Sequence, residues 1–136
     1  THTQWLTQSE LARLSDSVFR VSTQSDRMGY RLDGLQLKLA QRQEILSEGT
    51  VPGTIQLPPS GNPILLMADC APTGGYPRIG HVISADLGHA AQLRPGQSVK
   101  FAIVTVEQAQ NDFLQQRECL SKALTMVELI TQHKTH

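Results

Sequence analysis

Three short segments of this chain carry residue types that do chemistry. In Ser25-Asp26-Arg27-Met28-Gly29-Tyr30-Arg31-Leu32 a Ser-Asp pair precedes Arg and Gly. Short polar side chains bond readily to nearby backbone groups, so the order predicts a sharp turn with its own hydrogen bonds. Arg27 then offers a planar fork of donors to a carboxylate or phosphate, or else pairs with Asp26 or Asp33 and holds the loop. In Gly53-Thr54-Ile55-Gln56-Leu57-Pro58, Gln56 both donates and accepts. It suits the reading of an amide substrate, or it lies on the solvent face of a hairpin. In Thr73-Gly74-Gly75-Tyr76-Pro77-Arg78 the paired glycines let backbone amides approach a ligand closely, as in an anion nest or oxyanion hole. Tyr76 adds a phenol and Arg78 a fixed positive charge; the plainer reading is a tight turn between strands.

Other chemistries lack their patterns. There is no phosphate-binding P-loop and no nucleophile elbow. His81, Asp86 and His89 match no common metal-ligand spacing, and His81, set among apolar neighbours, is expected to be a core histidine. Twelve basic residues balance twelve acidic ones, so nothing in the charge collects nucleic acid or anionic lipid. The two cysteines, Cys70 and Cys119, form no CxxC motif and are expected to be free thiols in a reducing cytoplasm. No apolar run approaches the roughly 20 residues that cross a bilayer. The opening Thr-His-Thr-Gln-Trp has neither the basic start nor the apolar stretch of a signal peptide. With no initiator methionine, the chain is expected to be a processed or excised piece of something longer.

The elements that must hold these segments follow from the punctuation. Every Gly lies between Gly29 and Gly96 and every Pro between Pro52 and Pro95, so a turn-rich β core is expected between two helical ends. Thr7-Gln8-Ser9-Glu10 fits a capping box and opens a short helix through about Leu14. Alternation predicts strands at Val18–Thr23 and Tyr30–Asp33. Thr54–Leu57 and Ile64–Met67 flank a Pro/Ser/Gly turn and form a hairpin. Ile79–Ile83 and Ser98–Val104 are further strands, with one or two helical turns between Ala85 and Leu93. A second capping box, Thr105–Gln108, starts a helix of about 27 residues, or roughly 40 Å. Its apolar positions are Val106, Ala109, Phe113, Leu120, Leu124 and Val127. The expected division is 1–16 for a short helix and linker, 17–105 for the β lobe, and 106–136 for a helix packing on that lobe or on a partner.

Four blocks together resemble one family. Ser25–Leu32 resembles the SxRMGYRL signature of the C subunit of bacterial 5-oxoprolinase, a family also called allophanate hydrolase subunit 2. Leu46-Ser47-Glu48-Gly49 with Gly53–Pro58 resembles its LSxG and GxxQxP stretch. Gly61–Asp69 resembles its GxPIxLMxD segment, and Thr73–Ile79 its TGGYPRI loop. Order and spacing agree from about Phe19 to Phe101. This family is similar to the carboxyltransferase region of biotin-dependent urea carboxylase and includes an antagonist of a sporulation kinase inhibitor.

The resemblance implies a mainly β, cyclophilin-like barrel with the long C-terminal helix. It also implies assembly with the B and A subunits of 5-oxoprolinase, in the cytoplasm, for ATP-driven opening of 5-oxoproline to glutamate. ATP would be bound mainly by another subunit, and this chain would bind no metal or biotin. Arg27 and Arg78 would hold the substrate carboxylate. Gly74 and Gly75 would offer amides to the developing oxyanion, and Tyr30, Tyr76 and Gln56 would orient the lactam. Two departures stand out. Ala71 and Pro72 replace the family's frequent Gln-Thr before the Thr-Gly-Gly-Tyr loop, and the family's N-terminal lobe has no counterpart here. A biotin-dependent carboxyltransferase acting on urea or a similar amide, and a non-enzymatic regulator that binds a kinase inhibitor, are the alternatives.

Overall fold

Period-two alternation builds the centre of the molecule. In β1 (Val18–Val21) Phe19 and Val21 point inward, while Val18 and Arg20 face out. A computed structural model describes residues 2–41 and 45–133, with side chains through residue 126. The strands that follow are β2 (Gly29–Asp33), β3 (Glu48–Gly49), β4 (Thr54–Gln56), β5 (Ile64–Leu66), β6 (Thr73–Gly74), β7 (Arg78–His81) and β8 (Ser98–Lys100). Six of them form one curled, antiparallel half-barrel sheet in the order β7-β4-β5-β2-β1-β8. The other two, β3 and β6, pair only with each other and make a small flap.

Phe19, Val21, Leu32, Ile55, Leu57, Leu65 and Ile79 make a contiguous buried core on one face of the sheet. Helix α1 (Gln8–Asp16) adds Leu14 to it, and Leu6 joins from the turn before. The hairpin of β4 and β5 has the expected register, with Ile55 opposite Leu65 and Gln56 opposite Ile64. Its loop closes through Gly61, which has a φ of 83° and whose Cβ would stand 2.8 Å from the Leu37 carbonyl. Only glycine satisfies both the left-handed backbone and that close approach.

Both capping-box sequences stand at helix starts, but only the second closes as a box. At α3 (Val106–His133) the exchange is reciprocal: the Gln108 amide donates to Thr105 Oγ1 and the Thr105 amide to Gln108 Oε1. At α1 the Glu10 amide donates to Thr7 Oγ1, but the Glu10 carboxylate turns inward. It pairs with Arg13 and accepts from the Lys38 amide at 2.9 Å, so it ties the helix to the segment before the flap. Burial alone would raise the Glu10 pKa; the Lys38 amide and Arg13 outweigh it and hold the carboxyl below its usual value. A carboxyl whose pKa is depressed on folding contributes stability above its unfolded pKa, about 4.3, and loses it as pH falls through the lower folded value. Glu10→Gln is therefore expected to cost about 1–3 kcal/mol at pH 7. It should also flatten the decline in melting temperature between pH 5 and acid, read by thermal denaturation across pH.

Several elements are shorter than alternation predicts. β8 stops at Lys100 because its partner β1 begins at Val18, directly opposite. Beyond Lys100 the ladder has no strand to bond, and Phe101 instead sets its ring 5.8 Å from Phe19. β7 likewise ends at His81, opposite the first residue of β4. His81 is not a core histidine. It lies exposed at the sheet edge with its ring against Gly53, and partial burial there lowers its pKa. Helix α2 is only Leu87–Ala90.

Helix α3 touches the β lobe through Gln116, whose amide donates to the Ala85 carbonyl at 3.0 Å. Phe113, Leu120, Leu124 and Met126 are exposed along it. Val127 lies beyond the described side chains, and residues 134–136 outside the described chain. Cys70 and Cys119 are free thiols. Among the described residues no helix is long and apolar enough to cross a membrane.

Candidate functional site

One row of residues crosses the sheet on the face opposite the core. Arg31 on β2 stands opposite Ile64 on β5, Ile64 opposite Gln56 on β4, and Gln56 opposite Arg78 on β7. Neighbouring strands are about 4.8 Å apart. Gln56 is thus about 5 Å from Arg78 and about 10 Å from Arg31 along the row, measured between backbones. The β-bulge between Ile55 and Gln56 sets the last step of this register. It puts the Gln56 amide between two guanidinium-bearing strands.

The flap lies over this row. Gly74 approaches so closely that a Cβ there would stand 2.5 Å from Gln56 Nε2 and 3.4 Å from Thr50 Cγ2. The approach, not the backbone angle, demands glycine, since Gly74 has no positive φ. Arg78 fastens the flap from below. Its Nη2 pairs with the Glu48 carboxylate, and its Nη1 donates to the Gly49 carbonyl at 3.3 Å. From the other side the Thr50 amide donates to the Pro72 carbonyl at 2.9 Å, and Thr50 Oγ1 to the Ala71 carbonyl. The two departures from the family pattern, Ala71 and Pro72, therefore serve the flap through backbone oxygens that any residue supplies.

The result is a buried pair of unanswered donors. Gln56 is 6% exposed, and its Nε2 has no hydrogen-bond partner among the described residues. Arg78, its cross-strand neighbour, has a similarly buried Nε that also has no partner among the described residues. An unsatisfied buried donor costs about 1–3 kcal/mol, so native structures rarely keep two on neighbouring strands. Of the two, the Gln56 amide borders the smaller of the clefts beside the flap, where an oxygen acceptor, a carbonyl or a carboxylate, would answer it.

Two clefts flank the Thr-Gly-Gly-Tyr loop. The smaller, about 270 Å³, is lined by Gln56, Arg31, Ile64, Thr50 and Thr73. The larger, about 790 Å³, is lined by Gly75, Tyr76, Leu57 and the Pro58-Pro59 turn. The greater volume does not mark the site, because the unanswered donors belong to the row under the flap.

The residues singled out from sequence are distributed accordingly. Gln56, Gly74 and Arg78 come together. Gly75 and Tyr76 lie one and two positions further along the loop and line the larger cleft. Arg27 is 83% exposed and pairs with Asp69 at 2.8 Å, rather than with Asp26 or Asp33. Asp26 instead accepts from the Met28 and Gly29 amides, which makes the expected turn. Tyr30 is brought to neither cleft. It alternates with Gly29 and Arg31 onto the opposite face of β2, packs against the core, and donates its hydroxyl to the Ala91 carbonyl at 3.3 Å. Sequence reasoning passed over Arg31, Glu48 and Thr50. The signal for Arg31 was its place two residues from Gly29 on one strand, with core-facing Leu32 beside it. No such signal marks Glu48 or Thr50, because a two-residue flap has no periodicity.

The sequence model of the carboxyltransferase domain, subdomain A and B, matches residues 1–103. The chain belongs to that family. It is 52% identical over 89 residues to the C subunit of 5-oxoprolinase from Haemophilus influenzae, an alignment covering 65% of this chain and 29% of that protein. It is 48% identical over 93 residues to the C subunit of 5-oxoprolinase from Escherichia coli, covering 68% and 30%. The chain thus spans about three-tenths of the length of these relatives. The crystal structure of the Kluyveromyces lactis urea carboxylase superposes with a TM-score of 0.71 at 20% identity, over 79% of this chain and 10% of that one. This likeness bears on the fold, a curled half-barrel sheet of the carboxyltransferase type. The matched region contains the whole row from Arg31 to Arg78, together with the flap above it.

Among the described residues no three metal-ligating side chains cluster. The chemistry available here is hydrogen bonding and charge: a buried amide, backbone N–H groups of a close-packed glycine loop, and two arginines.

Proposed function

We propose that this chain forms part of the C subunit of a 5-oxoprolinase, where it binds and polarises the lactam carbonyl while 5-oxoproline is opened to glutamate with ATP. The observation that carries this reading is the buried Gln56 amide beneath Gly74, whose Nε2 has no partner among the described residues and which borders the smaller cleft. An unactivated lactam resists water. Opening it needs strong polarisation of the carbonyl or transfer of a phosphoryl group to its oxygen, and the second accounts for the ATP. The Gln56 amide and the loop amides of Gly74 and Gly75 would share the charge that grows on that oxygen. Tyr76 and Arg27 stand further out and would act on the approach of the substrate. With no P-loop in the chain, the nucleotide is assigned mainly to a partner subunit.

The partners under this reading are the B and A subunits and the remaining lobe of the C subunit itself. The exposed apolar side chains of α3 support such packing, since Phe113, Leu120 and Leu124 recur on one face of a helix that meets its own lobe through Gln116. The test is 5-oxoproline-dependent ATP hydrolysis by the protein containing this chain, reconstituted with its partner subunits. Turnover is expected with 5-oxoproline and not without it. Absence of stimulation in an assembled, folded complex would defeat the reading.

The matching family is a carboxyltransferase domain, which favours a second reading: transfer of a carboxyl group from carboxybiotin to an amide nitrogen. The same donors would hold that carboxylate. Carboxylation of urea that avidin abolishes would select this reading over the first.

A further inference from the structure

We infer that Arg31 is the residue of the smaller cleft that receives a ligand carboxylate, and that the ligand is a small molecule carrying a carboxylate and an amide carbonyl a few ångströms apart. This rests on the lactam reading for the amide end. The carboxylate end rests on Arg31 itself.

Arg31 is the one arginine among the described residues that line the cleft, and the two arginines first considered for a carboxylate are already engaged elsewhere. Arg27 is held by Asp69, and Arg78 by Glu48 and the Gly49 carbonyl. Arg31 lines the cleft, and its guanidinium has no hydrogen-bond or ion-pair partner among the described residues. Its backbone, by contrast, is fixed three times. The Arg31 amide donates to Ser25 Oγ at 3.0 Å, the Ser25 hydroxyl donates to the Arg31 carbonyl at 3.3 Å, and the Ser22 amide donates to the same carbonyl at 2.9 Å. A guanidinium on so well anchored a strand, left uncommitted in a cleft, is placed for bidentate capture of a carboxylate.

The other wall supplies the second half of the recognition. Gln56 stands two strands away in the same row, about 10 Å from Arg31 between backbones, and its buried Nε2 has no partner among the described residues. Both side chains line one cleft from opposite sides, over the apolar floor of Ile64 and Leu66. The space is about 270 Å³. Clefts for drug-sized ligands run from about 300 to 1,000 Å³, so this one suits a compact metabolite. Arg31 reading the carboxylate and Gln56 the carbonyl makes a two-point receptor that fixes the orientation of the ring between them.

The experiment is calorimetric titration of the assembled complex with three probes: 5-oxoproline, the same lactam without its carboxylate (2-pyrrolidinone), and the open-chain amide carboxylate succinamate. Each is titrated into the wild type, Arg31→Gln and Arg31→Lys. Arg31→Gln is expected to weaken 5-oxoproline about 10–100-fold and leave 2-pyrrolidinone unchanged, with Arg31→Lys intermediate because it keeps the charge and loses the fork. Unchanged 5-oxoproline binding in Arg31→Gln, or an equal loss for all three probes, overturns the inference. Succinamate binding that depends on Arg31, with no 5-oxoproline binding, upholds the carboxylate role and removes the lactam reading. Failure of the wild type to bind either carboxylate overturns both.

Discussion

Gln56→Leu is expected to raise the melting temperature of the chain while lowering 5-oxoproline turnover in the assembled enzyme about 10²–10³-fold. Gln56 is 6% exposed and its Nε2 has no partner among the described residues. Leucine has a similar volume and no polar atoms. The substitution removes a buried, unanswered donor, a gain of about 1–3 kcal/mol, or several degrees at about 4 °C per kcal/mol for a domain of this size. Loss of one donor to a developing oxyanion costs about 10²–10³-fold in rate. A residue kept only for structure moves stability and activity in the same direction. Here they move in opposite directions, which is the signature of a group held unsatisfied for a ligand. Thermal denaturation and the coupled ATPase assay read the two effects separately. A fall in melting temperature with turnover intact would return Gln56 to a packing role.

Gly74→Ala is expected to cost about 1–3 kcal/mol in stability and about 10²-fold in turnover. The new methyl group would stand 2.5 Å from Gln56 Nε2 and 3.4 Å from Thr50 Cγ2. Gln56 is buried and cannot swing into solvent, so either its amide rotates away or the flap lifts. Lifting the flap strains the Arg78 clamp to Glu48 and the Gly49 carbonyl. Gly75 provides the control. Its nearest contact for an added Cβ is the Ile45 carbonyl at 3.9 Å, an ordinary van der Waals distance, and it has no positive φ. Gly75→Ala should leave stability within about 0.5 kcal/mol. Equal behaviour of the two variants would show that Gly74 does not work through its contact with Gln56. Composition alone cannot separate these two adjacent glycines, yet their surroundings differ by more than an ångström in free space.

Much of the fold could be read from local patterns, because those patterns have local causes. Alternation at Phe19 and Val21, the hairpin around the Pro58–Pro63 turn, and the N-caps at Thr7 and Thr105 depend on neighbours a few residues away. Strand ends were less legible. Ser98–Val104 alternates throughout, but β8 stops at Lys100 where β1 begins opposite. A strand's length is a property of its partner as well as of its own side chains. The same holds for His81, whose apolar neighbours suggested the core but whose edge position leaves it exposed.

By itself the sequence determined the mainly β architecture, the family, and the blocks from which a site is built, since residue order and turn chemistry are written along the chain. Only the tertiary structure decided which members of those blocks meet. It turned Tyr30 onto the opposite face of β2, committed Arg27 to Asp69, and used Arg78 to fasten the flap. It also aligned Arg31, Ile64, Gln56 and Arg78 across four strands. Strand register and side-chain alternation set that row, and both arise from pairing between segments far apart in sequence.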